Sequence, residues 1–180
     1  RDSSTSRGLG DVYKRQDIGC GLPSLIPIDA ISVSRITHPN DRFFNGQDIY
    51  AVVKSCDEDR ICLSHKELLG TWEENAALFS TGETVGGIVR SIEPYGIFIE
   101  LAPNLAGLAE PRENVRVGQA ASVYIKALIP EKMKVKLIIV DVFENSVFPS
   151  KINYFITSGR LTKWVYSTNE CYKNICSEFV

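Results

Sequence analysis

Past residue 16 the chain states one pattern twice, and that repetition limits its fold more than any other feature. Asn45-Gly46-Gln47-Asp48-Ile49-Tyr50-Ala51-Val52-Val53-Lys54 aligns with Val117-Gly118-Gln119-Ala120-Ala121-Ser122-Val123-Tyr124-Ile125-Lys126. A further apolar run follows each copy, Arg60-Ile61-Cys62-Leu63-Ser64 and Lys134-Val135-Lys136-Leu137-Ile138. The first pair lies roughly 72 residues apart and the second roughly 74, a period that, with short strands and Gly turns, indicates tandem small β domains. The difference falls in the hairpin inside each copy.

Ahead of the second copy, Gly86 and Gly87 open an apolar run that reaches Ile92. Glu93 and Pro94 break it, and Tyr95-Gly96 turns the chain into a second run from Ile97 to Leu101. Alternation in that run puts Ile97, Ile99 and Leu101 on a core face and Phe98 and Glu100 on the other. Phe98, with Tyr95 three residues before it, then forms an aromatic pair on a sheet surface, a platform on which unpaired bases can stack. The structural alternative is a Phe98 covered by a neighbouring loop or helix.

The same alternation sends Val123, Ile125, Val135 and Leu137 inward and Ser122, Tyr124, Lys126, Lys134 and Lys136 outward. With Lys132, four lysines stand against one acid, Glu131, between Ala120 and Val140, in a chain whose formal charge is −2. Global attraction to nucleic acid is therefore excluded, and any such binding must come from this local patch. Lysines beside exposed rings are what a single-strand binder needs; lysines that only keep an outer strand soluble are the bland reading.

Gly87-Ile88-Val89, Ile92, Tyr95-Gly96-x-Phe98-Ile99-x-Leu101, Gly107-Leu108-Ala109, Gly118, Val123-x-Ile125-Lys126 and Lys134-Val135-x-Leu137 together resemble the RNA-binding domain named after ribosomal protein S-one. That resemblance implies a five-stranded Greek-key barrel of the OB type over residues 82–142. In the first copy only the later part matches: Ser24 to Ile28, Gly46 to Lys54, and Arg60 to Lys66. The fold expected is mainly β: tandem five-stranded OB-type barrels, the first truncated, a short linker helix, and a small C-terminal β-hairpin plus helix. The divisions expected are 1–16, 17–69, 70–81, 82–142 and 143–180. A barrel short of strands leaves open edges, so 17–66 is expected to be less stable than 82–142.

The resemblance also implies RNA contacts from two aromatics, a histidine after the Gly-Leu pair, and a basic residue opening the final strand. Those positions hold Tyr95, Phe98, Glu110 and Lys134. Glu110 departs from the pattern, because an ionised carboxylate repels phosphate and cannot donate a hydrogen bond; Arg112 lies close enough to offset it. In the first copy Arg60 corresponds to Lys134, and Pro27 stands at the histidine position. The RNA-binding set expected is Tyr95, Phe98, Lys126, Lys134, Lys136, Tyr124, Arg90, Arg60 and Lys54. The partner expected is single-stranded RNA, mRNA in particular, with the small ribosomal subunit.

Residues 1–16 differ from the rest. Gly10-Asp11-Val12-Tyr13-Lys14-Arg15-Gln16 resembles the translation of a transposon-adapter end, so Lys14 and Arg15 receive no RNA-binding role. Thr71-Trp72-Glu73-Glu74 reads as a capping box that starts a helix through about Phe79, anchored on a barrel by Trp72 and Phe79. At the other end, Ser158-Gly159 reads as the turn of a hairpin within 154–166. Ser167-x-x-Glu170 reads as the cap of a final helix carrying Cys171, Ile175 and Phe179.

Cys20, Cys56, Cys62, Cys171 and Cys176 have no metal-type spacing and an odd count, which points to reduced thiols in the cytoplasm. His38 and His65, in the loop Ser32–Arg42 and after a strand end, read as surface residues without metal or catalytic partners. No Walker loop, carboxylate cluster or nucleophile–base constellation is present in the sequence. No run approaches the ~20 apolar residues of a membrane span, and no signal peptide is expected. A monomeric, non-enzymatic RNA-binding protein without cofactor or metal is the expectation. The alternatives are a piece of an RNA-processing enzyme whose catalytic part lies elsewhere, or a barrel that binds protein.

Overall fold

The computed structural model describes residues 13–16, 18–146 and 151–179, and these fall into two units. Residues 71–146 and 166–175 form one; those up to 70, with 151–165 and 176–179, form the other.

In the first-named strands of the chain, β1 (Tyr13–Gln16), β2 (Ser24–Pro27), β3 (Val52–Cys56) and β4 (Ile61–Ser64) make a sheet in the order β1-β2-β4-β3. β1 runs antiparallel to β2, β2 parallel to β4, and β4 antiparallel to β3. The last four residues of the adapter-like segment thus supply an edge strand. Ile26, Ile31, Phe43, Ile61, Leu63 and Leu69 form the core, and Ile152 joins it from the far end of the sequence.

The two histidines of this unit are structural. His38, expected on the surface, is half-buried and caps a short 3-10 turn at Pro39–Asp41, its Nδ1 accepting from the Asn40 N–H at 3.1 Å. His65, also expected on the surface, is fully buried. Its Nδ1 lies 2.6 Å from the Ile31 carbonyl and its Nε2 2.9 Å from the Tyr154 hydroxyl, with the Phe43 ring edge-on at 4.8 Å. A neutral imidazole satisfies both contacts, Nδ1–H donating to the carbonyl and Nε2 accepting from the phenol. The sequence could not show this, because Tyr154 reaches His65 from 89 residues away.

Helix α1 (Trp72–Ala76) opens the second unit with the expected capping box. Thr71 Oγ1 accepts from the Glu74 N–H at 3.2 Å, and Glu74 accepts from the Thr71 N–H at 3.0 Å. Trp72 is buried and Phe79 half-buried.

β5 (Thr84–Glu93), β6 (Gly96–Ala102), β7 (Leu105–Ala109), β8 (Gln119–Ile129) and β9 (Lys134–Ser146) follow. They close into a barrel in the order β5-β6-β7-β9-β8. The long β5 makes closure possible: its end pairs with β6, and its start pairs with β8 from Thr84↔Tyr124 to Ile88↔Ala120. The alternation expected from the sequence holds. Val89, Ile97, Ile99, Val123, Ile125, Val135 and Leu137 fill the interior, while Tyr124, Lys126, Lys134 and Lys136 are exposed. Two residues of β6 depart from it: a register shift between Glu100 and Ala102 leaves Leu101 only half-buried, and Glu100, expected on the outer face with Phe98, is buried against Arg90. At Gly107, a Cβ would sit 2.6 Å from Leu137 Cδ1 and 2.9 Å from the Val135 carbonyl, so β7 approaches β9 this closely only with a glycine there.

The tail corrects the sequence reading. The segments flanking Ser158-Gly159 do not pair with each other. Instead β10 (Lys163–Val165) pairs antiparallel with β11 (Cys176–Glu178). The expected final helix is absent among the described residues. Ser167 Oγ accepts from the Ile175 N–H at 2.7 Å, and the Tyr166 N–H donates to the Ile175 carbonyl at 2.9 Å. These bonds close 167–175 as a loop, in keeping with Ser, Thr and Asn residues that compete with helical hydrogen bonding.

Two outcomes follow. Burial, with the Arg42 charge, lowers His65 from 6.5 to about 4 against the opposing Ile31 hydrogen bond. The unfolded chain therefore takes up a proton between pH 6.5 and 4 that the folded chain does not. Stability from this site is full above pH 6.5 and falls with pH through that window, by about 3 kcal/mol. Urea titrations followed through NMR signals of β2 and β4 should show this loss, and His65→Gln should flatten it. Separately, Gly107→Ala should destabilise the barrel by ~1–3 kcal/mol through overpacking, read as a lower urea midpoint for β7 and β9.

Candidate nucleic-acid interface

Register places one outward-facing row across the barrel wall. Phe98 on β6 is opposite Leu108 on β7, Leu108 is opposite Lys136 on β9, and Lys136 is opposite Ala127 on β8. Residues opposite one another in a sheet share a face, and strands lie ~4.8 Å apart, so Phe98 and Lys136 stand about 10 Å from each other. A register shift between Ile125 and Ala127 leaves Lys126 outside the ladder beside Lys136, with Lys134 two residues along on the same face.

Tyr95 stands in the two-residue turn between β5 and β6, where Glu93 pairs with Gly96. It is 64% exposed, and its ring meets Phe98 edge-to-face with centroids 6.1 Å apart. Phe98 is half-buried because it lies in a row, with Leu108 on one side and Ser91 on the other. Leu108 belongs to this floor, and the sequence reading missed it. Its signal was the adjacent Gly96, where a Cβ would meet Leu108 Cδ1 at 2.7 Å and the Ala109 carbonyl at 2.6 Å. Leu108 thus lies over Gly96 beside the rings.

Glu110 follows β7 on the same outward face as Leu108, level with Gly96. Its Oε1 is 3.9 Å from Lys126 Nζ, both side chains being more than half exposed. Such a pair adds little stability; its effect is on the local field. Arg112 donates to the Ile139 carbonyl at 3.1 Å.

Arg90 has a different position. It occupies the register shift between Val89 and Ser91 and donates to buried Glu100 at 3.1 Å, its side chain 12% exposed. A bulge of this kind re-aims a side chain. Tyr124 faces outward farther along, opposite Ile138 and Thr84. Arg60 and Lys54 are exposed in the other unit, just before β4 and on β3. Tyr95, Phe98, Lys126, Lys134 and Lys136 are therefore gathered on one wall, with Tyr124 farther along its β8–β9 side, while Arg90 is turned to Glu100 and Arg60 and Lys54 belong to the other unit. Among the described residues no cluster of three or more His, Cys, Asp or Glu could hold a metal ion, and no helix is long and apolar enough to cross a membrane.

The strand order and closure define an OB-like barrel, and the described residues are otherwise mainly β with one short α-helix. No protein-family model matches the chain. It is similar to small ribosomal subunit protein bS1 of Chlamydia muridarum, 31% identical over 132 residues, covering 65% of this chain and 23% of that protein. The bS1 homolog of Bacillus subtilis is 32% identical over 135 residues (72% and 34%), and that of Bacillus cereus 29% over 156 (76% and 41%). The chain is a relative of the bS1 proteins and carries an S-one type barrel, though it spans less than half the length of these relatives. A solved multidomain protein with nucleic acid binding domains from Streptococcus pneumoniae matches 77% of this chain and 50% of its own at 17% identity. Its TM-score of 0.35 is too low to bear on fold or function.

Gly96→Ala tests the floor. The added methyl should push Leu108 off the wall and destabilise the barrel by ~1–3 kcal/mol, measured by urea unfolding with the Phe98 and Leu108 side-chain NMR shifts as local reporters.

Proposed function

We propose that the barrel over 82–142 binds single-stranded RNA, mRNA in particular, in translation and in association with the small ribosomal subunit, without catalysing a reaction. The observation that carries this is the single outward row of Phe98, Leu108 and Lys136, with Tyr95 edge-on to Phe98 and Lys126 and Lys134 alongside. Bases stack on the rings at ~1–3 kcal/mol each, and the ammonium groups release counterions as they meet phosphates. The names of the relatives support a place in translation and give no support to an RNA-processing enzyme. The site of action is the cytoplasm and the acting form a monomer.

We further infer that 17–69 is a truncated repeat of 82–142. The order β1-β2-β4-β3 is that of β6-β7-β9-β8, down to the parallel pairs β2/β4 and β7/β9. Among the described residues no strand pairs with the outer edge of β3, the place that β5 takes beside β8. Arg60 and Lys54 would serve RNA only as a secondary surface.

A second reading, a barrel that binds protein, is favoured by Tyr124, Ile138 and Val140, which leave an apolar strip exposed on β8 and β9. Filter binding of an unstructured RNA at two salt concentrations separates the readings. Phe98→Ala should weaken binding about 10-fold. Lys136→Ala should lower the salt dependence by a slope of ~0.7. Binding that ignores both changes would favour the protein-binding reading.

A further inference from the structure

We propose that Glu110 selects which bases the barrel accepts, favouring those that present an exocyclic amine and rejecting uracil. The inference rests on the RNA-binding reading of the same wall and adds a specificity to it.

Glu110 lies on the outward face two residues beyond Leu108. Continued one step past Ile97↔Ala109, the register sets Glu110 level with Gly96 on β6, where the Leu108 side chain, the floor of the row, lies between the carboxylate and Phe98. Tyr95 flanks Gly96 in sequence, and Lys126 Nζ is 3.9 Å from the Glu110 carboxylate on the opposite side. The carboxylate is therefore held at the rim of the stacking floor, between the aromatic pair and the lysines. A base lying flat on Phe98 or Tyr95 turns its polar edge toward this rim.

A carboxylate only accepts hydrogen bonds. The N4 amine of cytosine and the N6 amine of adenine donate to it. Uracil presents the O4 carbonyl at the position where cytosine carries its amine, and its one ring donor, N3–H, is flanked by the O4 and O2 carbonyls, both of which repel a carboxylate. Carboxylates pair with cytosine N4 for this reason, and a good polar contact to a base edge discriminates by about 1–3 kcal/mol. Lys126 offsets part of the repulsion between Glu110 and the backbone phosphates, so the acid filters bases without abolishing binding.

Cytosine and uracil have the same size and differ at this position, which makes oligo(C) and oligo(U) of equal length the informative probes. With the full chain at low salt, oligo(C) should bind about 10-fold more tightly than oligo(U). Glu110→Gln keeps the shape, gains a donor for O4 and loses the charge. It should bring the two affinities within about 2-fold, chiefly by improving oligo(U), while leaving salt dependence from the lysines in place. Phe98→Ala should weaken both oligomers alike and keep their ratio. Equal affinities in the unaltered chain, or a preference for oligo(C) that persists in Glu110→Gln, would overturn the proposal while leaving RNA binding intact. No binding of either oligomer would overturn RNA binding and this selectivity together.

Discussion

Pairing of β5 with β8 is the contact on which the barrel depends. Until Thr84–Ile88 lie against Tyr124–Ala120, β5 and β8 are free edges and the sheet has no defined inside. Once they pair, each backbone edge finds a partner and each strand must send alternate residues to opposite sides. Val89, Ile99, Val123 and Leu137 are committed to the interior, and Phe98, Lys126 and Lys136 are committed to the wall. The candidate site thus follows from closure, with no separate element devoted to building it.

Most of that barrel was legible in the sequence because its signals are local. Two-residue alternation gave the facing of β6, β8 and β9, and Thr71 and Glu74 gave the start of α1. What escaped depends on contacts distant in sequence or on backbone shape. His65 looks like a residue at a strand end until Tyr154 arrives to bond it. Arg90 reads as one more exposed base in a strand until the register shift turns it toward Glu100. The tail misled because Ser167 has the chemistry of a helix cap, and the same hydroxyl serves equally to close a loop onto Ile175. Leu108 was hidden for another reason: its role depends on a neighbour with no side chain.

The two units respond differently to the same strand order. In the barrel, the outer edge of β8 is covered by β5, Val89, Ile97, Ile99, Val123, Ile125, Val135 and Leu137 fill the interior, and the buried Glu100 is held by Arg90 from a neighbouring strand. In the other unit β3 is an outer strand, largely exposed, and the core takes Ile152 from outside the sheet. It also holds a buried His65 and a buried Glu67, the latter accepting from Ser64 Oγ at 2.6 Å. Polar groups inside a small core require their partners to be in place, which ties this unit to more of the chain than its sheet alone spans.

That dependence reverses the order in which the two units mature on a ribosome. Chain growth delivers β1 to β4 first, yet Ile152 and Tyr154, which complete their core and satisfy His65, are translated after all five barrel strands. Synthesis at ~5–20 residues per second separates β4 from Tyr154 by several seconds. The barrel receives the last of its strands before Tyr154 is made, whereas the N-terminal sheet waits through the whole interval with its histidine half-partnered. The part made earliest is the part finished last.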